Sequence, residues 1–282
     1  MLNRYIERLY NIHNRASLIA NALLFPCKKP IEPWAFIRVH NERKTLSASL
    51  NSILPAINRG VIGYNDCTDG SEEIILDFCK NNSGFIASKS ENFSKAPNEP
   101  LSEKLARHYN LTFSFIPKNE WFIKVDADQI YVANKLKKLF LLPKSYKDMI
   151  VLPRIQLQSD GSNLFFDNNR PFNFSSDHWL MFNDGNLSFC PSKTHDYEVL
   201  QGVGNRRLIM GEITNWHFQG NKAKNYRSFS IPTISYTEFM KKFNGNPYDT
   251  VFKKTYSSDL LDPRMLDYEY IMQSTVYKFN KS

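Results

Sequence analysis

The sequence has few glycines and few cysteines, and neither set forms a recognised motif. Only 11 of the 282 residues are glycine and no G-x-G-x-x-G pattern occurs, which argues against the glycine-rich phosphate loop of many nucleotide-binding folds. No C-x-x-C pair occurs either, which excludes a zinc knuckle or a disulfide framework and favours core thiols in a reducing compartment. The four cysteines are Cys27, Cys67, Cys79 and Cys190.

The sequence also lacks a long apolar run. Its most apolar early stretch, residues 16–25, has about half of the roughly 20 residues that a membrane-spanning helix needs. The charges before this stretch extend over too long a run for a signal peptide. We therefore predict that the chain does not cross a membrane and stays in the cytoplasm.

Residues 4–25 have the pattern of an amphipathic helix. Apolar residues recur at helical spacing, and three arginines lie elsewhere on the helical wheel. Such a helix either packs on the domain or lies on an anionic bilayer, and its modest apolar face favours packing. The apolar residues are Tyr5, Leu9, Ile12, Ala16 and Ile19, and the arginines are Arg4, Arg8 and Arg15.

Positive charge is in excess. The chain has 36 Lys and Arg against 28 Asp and Glu, a net charge of +8, which favours anionic partners such as nucleotide phosphates, anionic lipid or nucleic acid. The basic residues are scattered and no nucleic-acid-binding motif occurs, which argues against nucleic acid as the partner. With 42% apolar and 14% aromatic residues, the chain has enough large side chains for a substantial core.

The first half alternates short apolar runs with helical patterns. This alternation predicts an α/β fold with a mostly parallel sheet and helices on both faces. Ligands of such sheets bind at the carboxyl ends of the strands, where the acidic turns 66–69 and 126–128 fall. The predicted strands are 34–39, 60–64, 84–87 and 121–125, and the predicted helices cover 46–54, 72–80, 101–116 and 133–142.

The second half has a different pattern. Residues 149–158 alternate as one long strand, and a turn at 159–162 leads into a returning strand at 163–167. A further strand is predicted at 213–218, and mixed helix and loop follow from residue 225. The pattern divides the chain into an N-terminal helical segment (1–31), a main domain (32–225) and a basic C-terminal extension (226–282).

Asp126 and Asp128 form a D-x-D pair directly after an apolar strand. Two carboxylates at this spacing can share a hard divalent cation such as Mg²⁺ or Mn²⁺, which often bridges to a diphosphate. Asp pairs are common in solvated turns, so the tripeptide alone is weak evidence for a metal site. Its position at a strand end, in line with the other acidic turn, predicts a site for a metal and a nucleotide.

Three motifs occur in an order that resembles the GT-A-fold, family-2-like bacterial glycosyltransferases. They are I-R-V-H-N-E at 37–42, D-C-T-D-G-S at 66–71 and D-A-D at 126–128. The stretch 34–78 is most similar to the lipooligosaccharide β-1,4-N-acetylgalactosaminyltransferases. The resemblance implies a Rossmann-like GT-A fold, a Mn²⁺ or Mg²⁺ cofactor, and inverting transfer of a sugar, expected to be N-acetylgalactosamine, from a UDP-sugar to galactose on a lipooligosaccharide.

The resemblance also implies which residues bind the nucleotide and the metal. It places the backbone near Val39 and the side chain of Glu42 at the ribose and uracil. The turn after the second strand is a residue shorter than in the family, so both Asp66 and Asp69 are candidates for the base edge; Asp69 alternatively caps a helix. Asp126 falls at the ribose and the metal, and Asp128 falls at the metal.

An inverting transfer needs a general base that deprotonates the acceptor hydroxyl. Segments 177–182, 194–196 and 213–217 are similar in order to the second half of bacterial family-2 core glycosyltransferases. The likeness puts Asp196 at the base position, and Glu198 and Asp177 are rivals because His-Asp stands where the family has His-Glu. His217 approaches the metal or diphosphate, or else is a packed core histidine.

Three aromatic residues of the second half could stack on sugar faces or lie in the core. Aromatic rings pair an apolar face with a polar edge, which suits either role. We expect Trp216 to lie in the core and Trp179 to bind the substrate. The third residue, Tyr197, suits either role.

The sequence thus predicts a metal-dependent inverting glycosyltransferase that acts on a bacterial surface glycolipid. A lipid-linked acceptor would explain the positive charge at both chain ends, because Lys and Arg are stabilised near anionic lipid, so we expect a peripheral contact with the inner face of the cytoplasmic membrane. The alternatives are a nucleotidyltransferase, which usually has a glycine-rich loop, and a non-catalytic nucleic-acid binder.

Overall fold

A seven-stranded mixed sheet forms the centre of the fold. The computed structural model describes residues 29–91, 93, 98–219, 232–249 and 257–279. The predicted helix within 4–25 and Cys27 lie outside these residues. Within the described part of the chain, no helix is both long enough and apolar enough to cross a bilayer.

The strands and helices are numbered in chain order. The strands are β1 (Trp34–Val39), β2 (Gly60–Tyr64), β3 (Phe85–Lys89), β4 (Trp121–Asp126), β5 (Gln129–Tyr131), β6 (Asp148–Val151), β7 (Arg154–Ser159), β8 (Leu164–Asp167), β9 (Phe172–Asn173), β10 (Trp179–Phe182), β11 (Ser188–Pro191), β12 (Glu198–Gln201), β13 (Arg207–Met210), β14 (Asn215–Phe218) and β15 (Thr233–Ser235). The helices are α1 (Arg43–Ile53), α2 (Ser71–Asn81), α3 (Leu101–Phe113), α4 (Ala133–Leu139), α5 (Tyr236–Lys242), α6 (Tyr268–Ser274) and α7 (Val276–Phe279). Short 3₁₀ turns cover Ser258–Leu260 and Pro263–Leu266.

The main sheet has the strand order β13-β6-β10-β4-β1-β2-β3. β4, β1, β2 and β3 are parallel neighbours, β13 is parallel to β6, and β10 runs antiparallel between β6 and β4. This arrangement, with helices on the sheet, confirms the predicted α/β class and its mostly parallel sheet. The predicted strands at 34–39 and 60–64 match β1 and β2 residue for residue.

Both faces of β1 are buried because successive side chains of a strand point to opposite faces. Phe36 packs edge-on against Phe113 of α3, whereas Ile37 belongs to the apolar cluster that includes Leu50 of α1. A parallel strand covered by helices on both faces is expected to be apolar throughout. This is why its run of apolar residues was readable from the sequence.

The predicted long strand at 149–158 is wrong, because the chain changes sheets in the middle of it. β6 pairs with β10 and β13 in the main sheet, whereas β7 pairs with β14, β8 and β9 in a second sheet. The break falls at Pro153, which lacks the N–H group that a strand within a sheet donates. The preceding residue, Leu152, still donates its N–H to the carbonyl of His178 at 2.9 Å.

The second sheet has the order β15-β8-β7-β14-β5, with β9 beside β7. The predicted return of 163–167 is confirmed by the antiparallel pairing of β7 with β8, and β14 lies within the strand predicted at 213–218. β5 follows β4 after a tight turn, so the chain passes from the main sheet into the second sheet at residues 126–129. A separate hairpin, β11–β12, is held to α3 by the Asn110 side chain, which donates to the Phe189 carbonyl at 2.7 Å and accepts from its N–H at 2.8 Å.

The described residues of the predicted C-terminal extension complete the core of the second sheet. β15 pairs with β8, and the Trp216 indole of β14 donates to the Met265 carbonyl at 2.9 Å. The buried apolar residues that this part adds to the cluster around Trp216 are Phe239, Leu261, Met265, Leu266, Ile271, Met272 and Val276. The three-part division of the chain stays a prediction, but in packing these residues belong to the same core as the second sheet.

Three of the cysteines are described, and all three are free and partly buried. Cys67 and Cys79 pack against the main core, in agreement with the prediction of core thiols. Burial raises the pKa of the Cys79 thiol to about 11, so this thiol stays protonated and unreactive at neutral pH.

Candidate active site

The two carboxylates of the D-x-D pair lie where β4 ends, at the carboxyl edge of the main sheet. Asp126 is the last residue of β4 and pairs in register with Arg38 of β1. Asp128 follows in the turn that leads to β5 and is 7% exposed. Parallel strands end at one edge, so the turns after β1, β2 and β4 meet here.

Asp126 is surrounded by basic groups. Its Oδ2 lies 2.6 Å from His178 Nε2, and its Oδ1 lies 3.2 Å from Lys124 Nζ. Burial alone would raise the pKa of the Asp126 carboxyl, but the nearby His178 and Lys124 outweigh it and lower the pKa well below its ordinary value. Asp126 is therefore an anion at neutral pH.

Asp128 faces a histidine from the second sheet. His217 Nε2 lies 3.2 Å from Asp128 Oδ2, and His217 Nδ1 lies 2.6 Å from Gln156 Oε1. An amide oxygen only accepts hydrogen bonds, so Nδ1 is the protonated nitrogen that donates to Gln156. In the neutral imidazole, Nε2 then presents its lone pair towards the Asp128 carboxylate, which is the orientation of a metal-ligating histidine.

A network of buried polar side chains supports these groups. His178 Nε2 also lies 2.6 Å from Gln129 Nε2. Gln129 Oε1 accepts from the Tyr131 hydroxyl at 2.8 Å and from Asn215 Nδ2 at 2.6 Å. Buried hydrogen-bonded networks of this kind hold side chains in one arrangement.

Asp177 is bound to a buried arginine. Arg154 is 3% exposed and donates to both carboxylate oxygens of Asp177, at 3.0 and 2.9 Å, while His178 Nδ1 lies 3.2 Å away. Burial would raise the pKa of Asp177, but the contacts with His178 and Arg154 lower it below its ordinary range. A carboxylate held in this way is a poor proton acceptor.

Glu198 and Asp196 lie on the β11–β12 hairpin. Glu198 is the first residue of β12, and its charge acts on both Arg38 and Tyr109. Arg38 Nε donates a hydrogen bond to the Tyr109 hydroxyl at 3.0 Å. The charge of Asp126 also acts on both groups. Glu198 thus belongs to the same electrostatic cluster as the D-x-D pair.

Burial opposes the charge on Arg38, but Tyr109, Glu198 and Asp126 outweigh it and raise the pKa of the guanidinium. Arg38 therefore remains a cation between the acid of the hairpin and the acid of the main sheet. Asp196 instead lines a groove of about 660 Å³, together with Ser102, Glu103 and Tyr197.

The loops predicted to hold the nucleotide are joined to one another. The side-chain oxygen of Asn41 accepts from the N–H of Thr68 at 2.8 Å, and His40 Nδ1 lies 2.8 Å from the Asn65 carbonyl. Asp66 has a φ of 44°, in the left-handed region that Asp tolerates better than most residues. The turn after β2 is therefore fixed against the turn after β1.

Among the residues predicted to bind the nucleotide, Asp69 uses both of its carboxylate oxygens in hydrogen bonds within the protein. One oxygen accepts from the Arg43 N–H at the start of α1 at 3.0 Å, and the other accepts from the N–H and hydroxyl of Ser71 at 3.0 and 2.6 Å. This is the capping role that the sequence left open. Val39 is fully buried and Glu42 is 7% exposed, and both lie at the same edge as Asp126.

The three candidate stacking residues differ in how far their rings are exposed. Trp179 is 4% exposed and packs edge-on against Phe122, so its ring is buried in the core, which corrects the prediction that it stacks on a sugar. Trp216 is fully buried, as favoured. Tyr197 is 47% exposed and stacks on His195 with ring centroids 4.9 Å apart.

Sequence reasoning missed the groups that neutralise the carboxylates. Lys124 carried a signal, since it lies two positions before Asp126 and residues two apart share one face of a strand. His178 follows Asp177 directly, in a segment that the family likeness includes. Gln156 had no local signal, because its partner His217 lies 61 positions away.

Among the residues that the structure describes, no group of three or more His, Cys, Asp and Glu side chains is arranged to hold a metal ion. Asp128 and His217, 3.2 Å apart, are instead a pair of potential ligands, with Asp126 nearby. A cation at this edge would take its remaining ligands from a bound molecule or water.

Solved structures share a distant likeness with the chain. Glucosyl-3-phosphoglycerate synthase from Mycobacterium tuberculosis, in complex with Mn²⁺, uridine diphosphate and glucosyl-3-phosphoglycerate, matches at 12% identity over 70% of this chain and 73% of that chain, with a TM-score of 0.43. The WbbM bifunctional glycosyltransferase matches at 12% identity over 56% and 32%, with a TM-score of 0.35. The inositol-1-phosphate CTP transferase from T. maritima matches at 11% identity over 55% and 72%, with a TM-score of 0.34.

Likenesses of this strength establish neither a ligand nor a reaction for this chain. A search of curated protein sequences finds no match.

A family model described as beta-1,4-N-acetylgalactosaminyltransferase (CgtA) matches residues 25–190, which is more than half of the chain. The matched range contains the turns after β1 and β2, the D-x-D pair and Asp177, and it ends before Asp196. The match confirms the resemblance drawn from the motifs, and it confirms a glycosyltransferase over the nucleotidyltransferase alternative. The chain belongs to the beta-1,4-N-acetylgalactosaminyltransferase (CgtA) family of glycosyltransferases.

Proposed function

We propose that the protein transfers a sugar from a UDP-sugar to an oligosaccharide hydroxyl, with inversion and with the help of a divalent cation. The observation that carries the proposal is the pair of acids at the end of β4, one facing the imidazole of His217 and the other held ionised by basic groups. Such an edge suits a nucleotide diphosphate with its cation.

Asp128 and His217 are the residues that would hold the cation, with Asp126 beside them. The donor set fits Mn²⁺ or Mg²⁺: a lone pair on His217 Nε2 that faces a carboxylate oxygen at 3.2 Å is unfavourable unless a proton or a metal ion lies between them. Carboxylate oxygens suit both ions, and an imidazole ligand favours Mn²⁺ over Mg²⁺. When bound, the cation offsets the negative charge of the departing diphosphate.

The nucleoside would lie over the turns after β1 and β2. Glu42 and Asp66 are the acids at this edge that we assign to the ribose and uracil, alongside the backbone near Val39. Asp69 is assigned to capping, because Arg43 and Ser71 occupy its two oxygens.

We assign the general base to Glu198. Asp177 is a weak candidate because its carboxylate neutralises the buried Arg154. Asp196 stays the rival, since it lies two residues earlier in the same hairpin. Glu198 is favoured because its charge acts on Arg38 and Tyr109, which also interact with Asp126, whereas no direct ion pair of the described residues ties up its carboxylate as Arg154 ties up that of Asp177.

We place the acceptor sugar in the groove at the turn of the β11–β12 hairpin, whose lining ends at Tyr197, the residue before Glu198. Asp196 and Tyr197 line it, and the exposed ring of Tyr197, stacked on His195, offers a flat apolar face to a sugar ring. An acceptor there would lie on the hairpin side of Glu198, with the donor on the Asp126 side.

The description of the matching family supports N-acetylgalactosamine as the donor sugar, with a β-1,4 linkage. We extend this to a galactose acceptor on a bacterial lipooligosaccharide, on the similarity of the stretch 34–78. A lipid-linked acceptor places the enzyme at the inner face of the cytoplasmic membrane as a peripheral protein, and the net charge of +8 is compatible with anionic lipid.

A transfer assay with purified protein tests the proposal. UDP-N-acetylgalactosamine, UDP-N-acetylglucosamine, UDP-galactose and UDP-glucose are each offered with a soluble β-galactoside, with Mn²⁺, with Mg²⁺ or with EDTA. We expect transfer from UDP-N-acetylgalactosamine that EDTA abolishes. Asp128→Asn should lower kcat by roughly 10²-fold or more because a cation ligand is lost.

Glu198→Gln should lower kcat by roughly 10²-fold or more and leave UDP affinity unchanged, since a base acts on the acceptor. Asp196→Asn should lose less than tenfold. Asp160→Asn, in the exposed turn between β7 and β8, is the matched control and should keep full activity. Metal-independent transfer would refute the cation site, and an active Glu198→Gln beside an inactive Asp196→Asn would move the base to Asp196.

A further inference from the structure

An apolar surface ringed by lysines lies at the amino edge of the main sheet. We call it the amino-edge surface. Its exposed apolar residues are Ile31 (68% exposed), Leu141 (61%), Leu142 (36%) and Tyr146 (36%), and its exposed lysines are Lys137, Lys138, Lys144 and Lys147. Exposed apolar side chains collected in one place mark interaction sites more often than scattered ones do.

Contacts within the fold bring together the two segments that carry the apolar residues. Lys29 Nζ donates to the carbonyls of Leu141 and Pro143, at 2.9 and 2.5 Å, which brings the chain before β1 against the loop after α4. Ile31 and Tyr146 then border the same cavity of about 380 Å³. The surface therefore joins two segments that are more than 100 positions apart in the sequence.

The position of the surface relative to the active site follows from the strand directions. The Tyr146 ring stacks on that of Trp121, with centroids 6.3 Å apart, and Trp121 is the first residue of β4. Asp126 is the last residue of the same strand. The surface and the carboxylates thus lie at opposite ends of the strands, roughly 17 Å apart for the five residue steps of β4 at about 3.3 Å each.

The charge of the surface is positive. The nearby acids are largely neutralised: Glu120 pairs with Arg59 at 2.9 Å, Asp184 with Arg206 at 2.9 Å, and Asp148 with Arg207 at 2.5 Å. Glu32 is the remaining acid that borders the cavity. Four exposed lysines around three aliphatic side chains and a tyrosine leave a net positive rim.

We propose that the amino-edge surface docks the protein on an anionic bilayer. Aliphatic side chains gain by entering the boundary between headgroups and acyl chains, tyrosine is favoured at that depth, and each lysine near an anionic headgroup strengthens binding about fivefold. The inference names the surface that makes the membrane contact, and it rests on the peripheral location under the proposed function.

The sequence before Lys29 is a less suitable partner for this surface. Its charged residues are mainly basic, with Arg4, Arg8, Arg15 and Lys28 against Glu7, so its charge repels the lysine rim. The charge thus favours the bilayer over coverage by the chain itself.

Docking in this way turns the active site away from the bilayer. With the carboxylates roughly 17 Å above the amino edge, the enzyme would act on sugars several residues removed from the lipid. A sugar attached directly to the lipid would lie out of reach.

Vesicle sedimentation with the full-length protein tests the docking surface. The vesicles are phosphatidylcholine with and without phosphatidylglycerol. We expect binding that needs phosphatidylglycerol and weakens with salt. Leu141→Ser with Leu142→Ser should weaken it at least tenfold, and replacing the four rim lysines with Gln should weaken it by roughly 600-fold, nearly three orders of magnitude.

Two control variants match these changes elsewhere on the protein. Leu76→Ser with Met210→Ser alters side chains of similar exposure, 49% and 38%, away from the amino edge. Lys241→Gln with Lys242→Gln removes charge from α5. Both should bind within about twofold of the wild type; if the α5 variant alone lost binding, the C-terminal residues would be the docking site.

Two further readouts distinguish a bilayer from a different occupant of the amino-edge surface. If the Leu141 and Leu142 changes alter the unfolding temperature while vesicle binding is unchanged, the surface is covered by the chain itself and the proposal fails. If they change the oligomeric state instead, the occupant is a second copy and the proposal also fails. Transfer to a soluble galactoside should be equal in all these variants, so a failure of docking is distinguished from a failure of the proposed reaction.

Discussion

The carboxylates around the active site differ in what each one already binds. Asp177 neutralises the charge of the buried Arg154, and Asp126 is held ionised by His178 and Lys124. Asp128 meets the imidazole of His217. Residue type alone did not separate these roles; the cationic neighbour of each acid does.

Replacing Asp177 should destabilise the protein more than it slows the reaction. Asp177→Asn leaves the Arg154 guanidinium, which is 3% exposed, without its counter-charge. We expect a loss of about 1–3 kcal/mol in the free energy of unfolding, a figure reduced because Asp177 is itself half exposed. Urea unfolding at pH 7 measures it, and Asp160→Asn in an exposed turn is the control.

The pH dependence of this variant has a definite sign. The contacts with His178 and Arg154 lower the pKa of Asp177 in the folded protein, so its stabilisation is present above its unfolded pKa of about 4 and is lost as the pH falls. Below pH 4 the stability curves of wild type and variant should therefore converge. Full stability with no transfer activity would instead make Asp177 a catalytic residue.

At the residue scale, the sequence predicted the acids but not their partners. The D-x-D pair is recognisable because two acids directly follow an apolar strand. His178 contacts Asp126 across 52 positions, and a single sequence contains no signal for a pairing at that distance. Trp179 was misjudged for a related reason, since an aromatic at a strand start looks the same in a core and on a surface.

At the element scale, α3 lies unusually close to β2, because Gly63 has no side chain. A Cβ at this position would lie 1.9 Å from Thr112 Oγ1 and 2.7 Å from Thr112 Cγ2. Thr112 is fully buried on α3, so it has little room to move. The approach of helix and strand at this point depends on the glycine.

Gly63→Ala should destabilise the protein by about 1–3 kcal/mol, as overpacking of a well-filled core does. Thr112→Ala removes the two nearest atoms, so the double variant should recover part of the loss. Urea unfolding of both single variants and the double variant gives the coupling energy. Strictly additive losses would show that the clash is relieved elsewhere and would contradict direct contact as the cause.

The elements that the sequence predicted well are those with strong local patterns. β1 and β2 are buried on both faces, and their apolar runs coincide with the strands. The strand predicted at 149–158 failed because alternation continues through Pro153, where the chain leaves one sheet for the other. β15 was missed because it has three residues and pairs with β8, about 70 positions away.

At the scale of the whole molecule, the active site is assembled from both sheets. Asp126 belongs to the main sheet, whereas His217 and Gln156 belong to β14 and β7 of the second sheet. The position of His217 therefore depends on the core of the second sheet. That core includes residues from the last fifth of the chain, which the sequence indicated only as an extension.

Removing residues 232–282 should therefore unfold the second sheet and abolish activity. The deletion takes seven buried apolar residues from the cluster around Trp216, each contributing roughly 2 kcal/mol. Their sum is comparable with the whole stability of a typical domain. We expect an insoluble product, or a soluble one whose near-ultraviolet circular dichroism and cooperative unfolding are lost.

A single substitution with a smaller effect keeps this prediction testable if the truncated chain cannot be purified. Met265→Ala, at a fully buried position whose carbonyl holds the Trp216 indole, should cost about 2–5 kcal/mol. Because His217 follows Trp216 directly, kcat should fall together with stability as the temperature approaches the lowered midpoint. A truncated protein that unfolds cooperatively and still transfers sugar would show that the C-terminal residues are a separate addition, as the sequence pattern alone indicated.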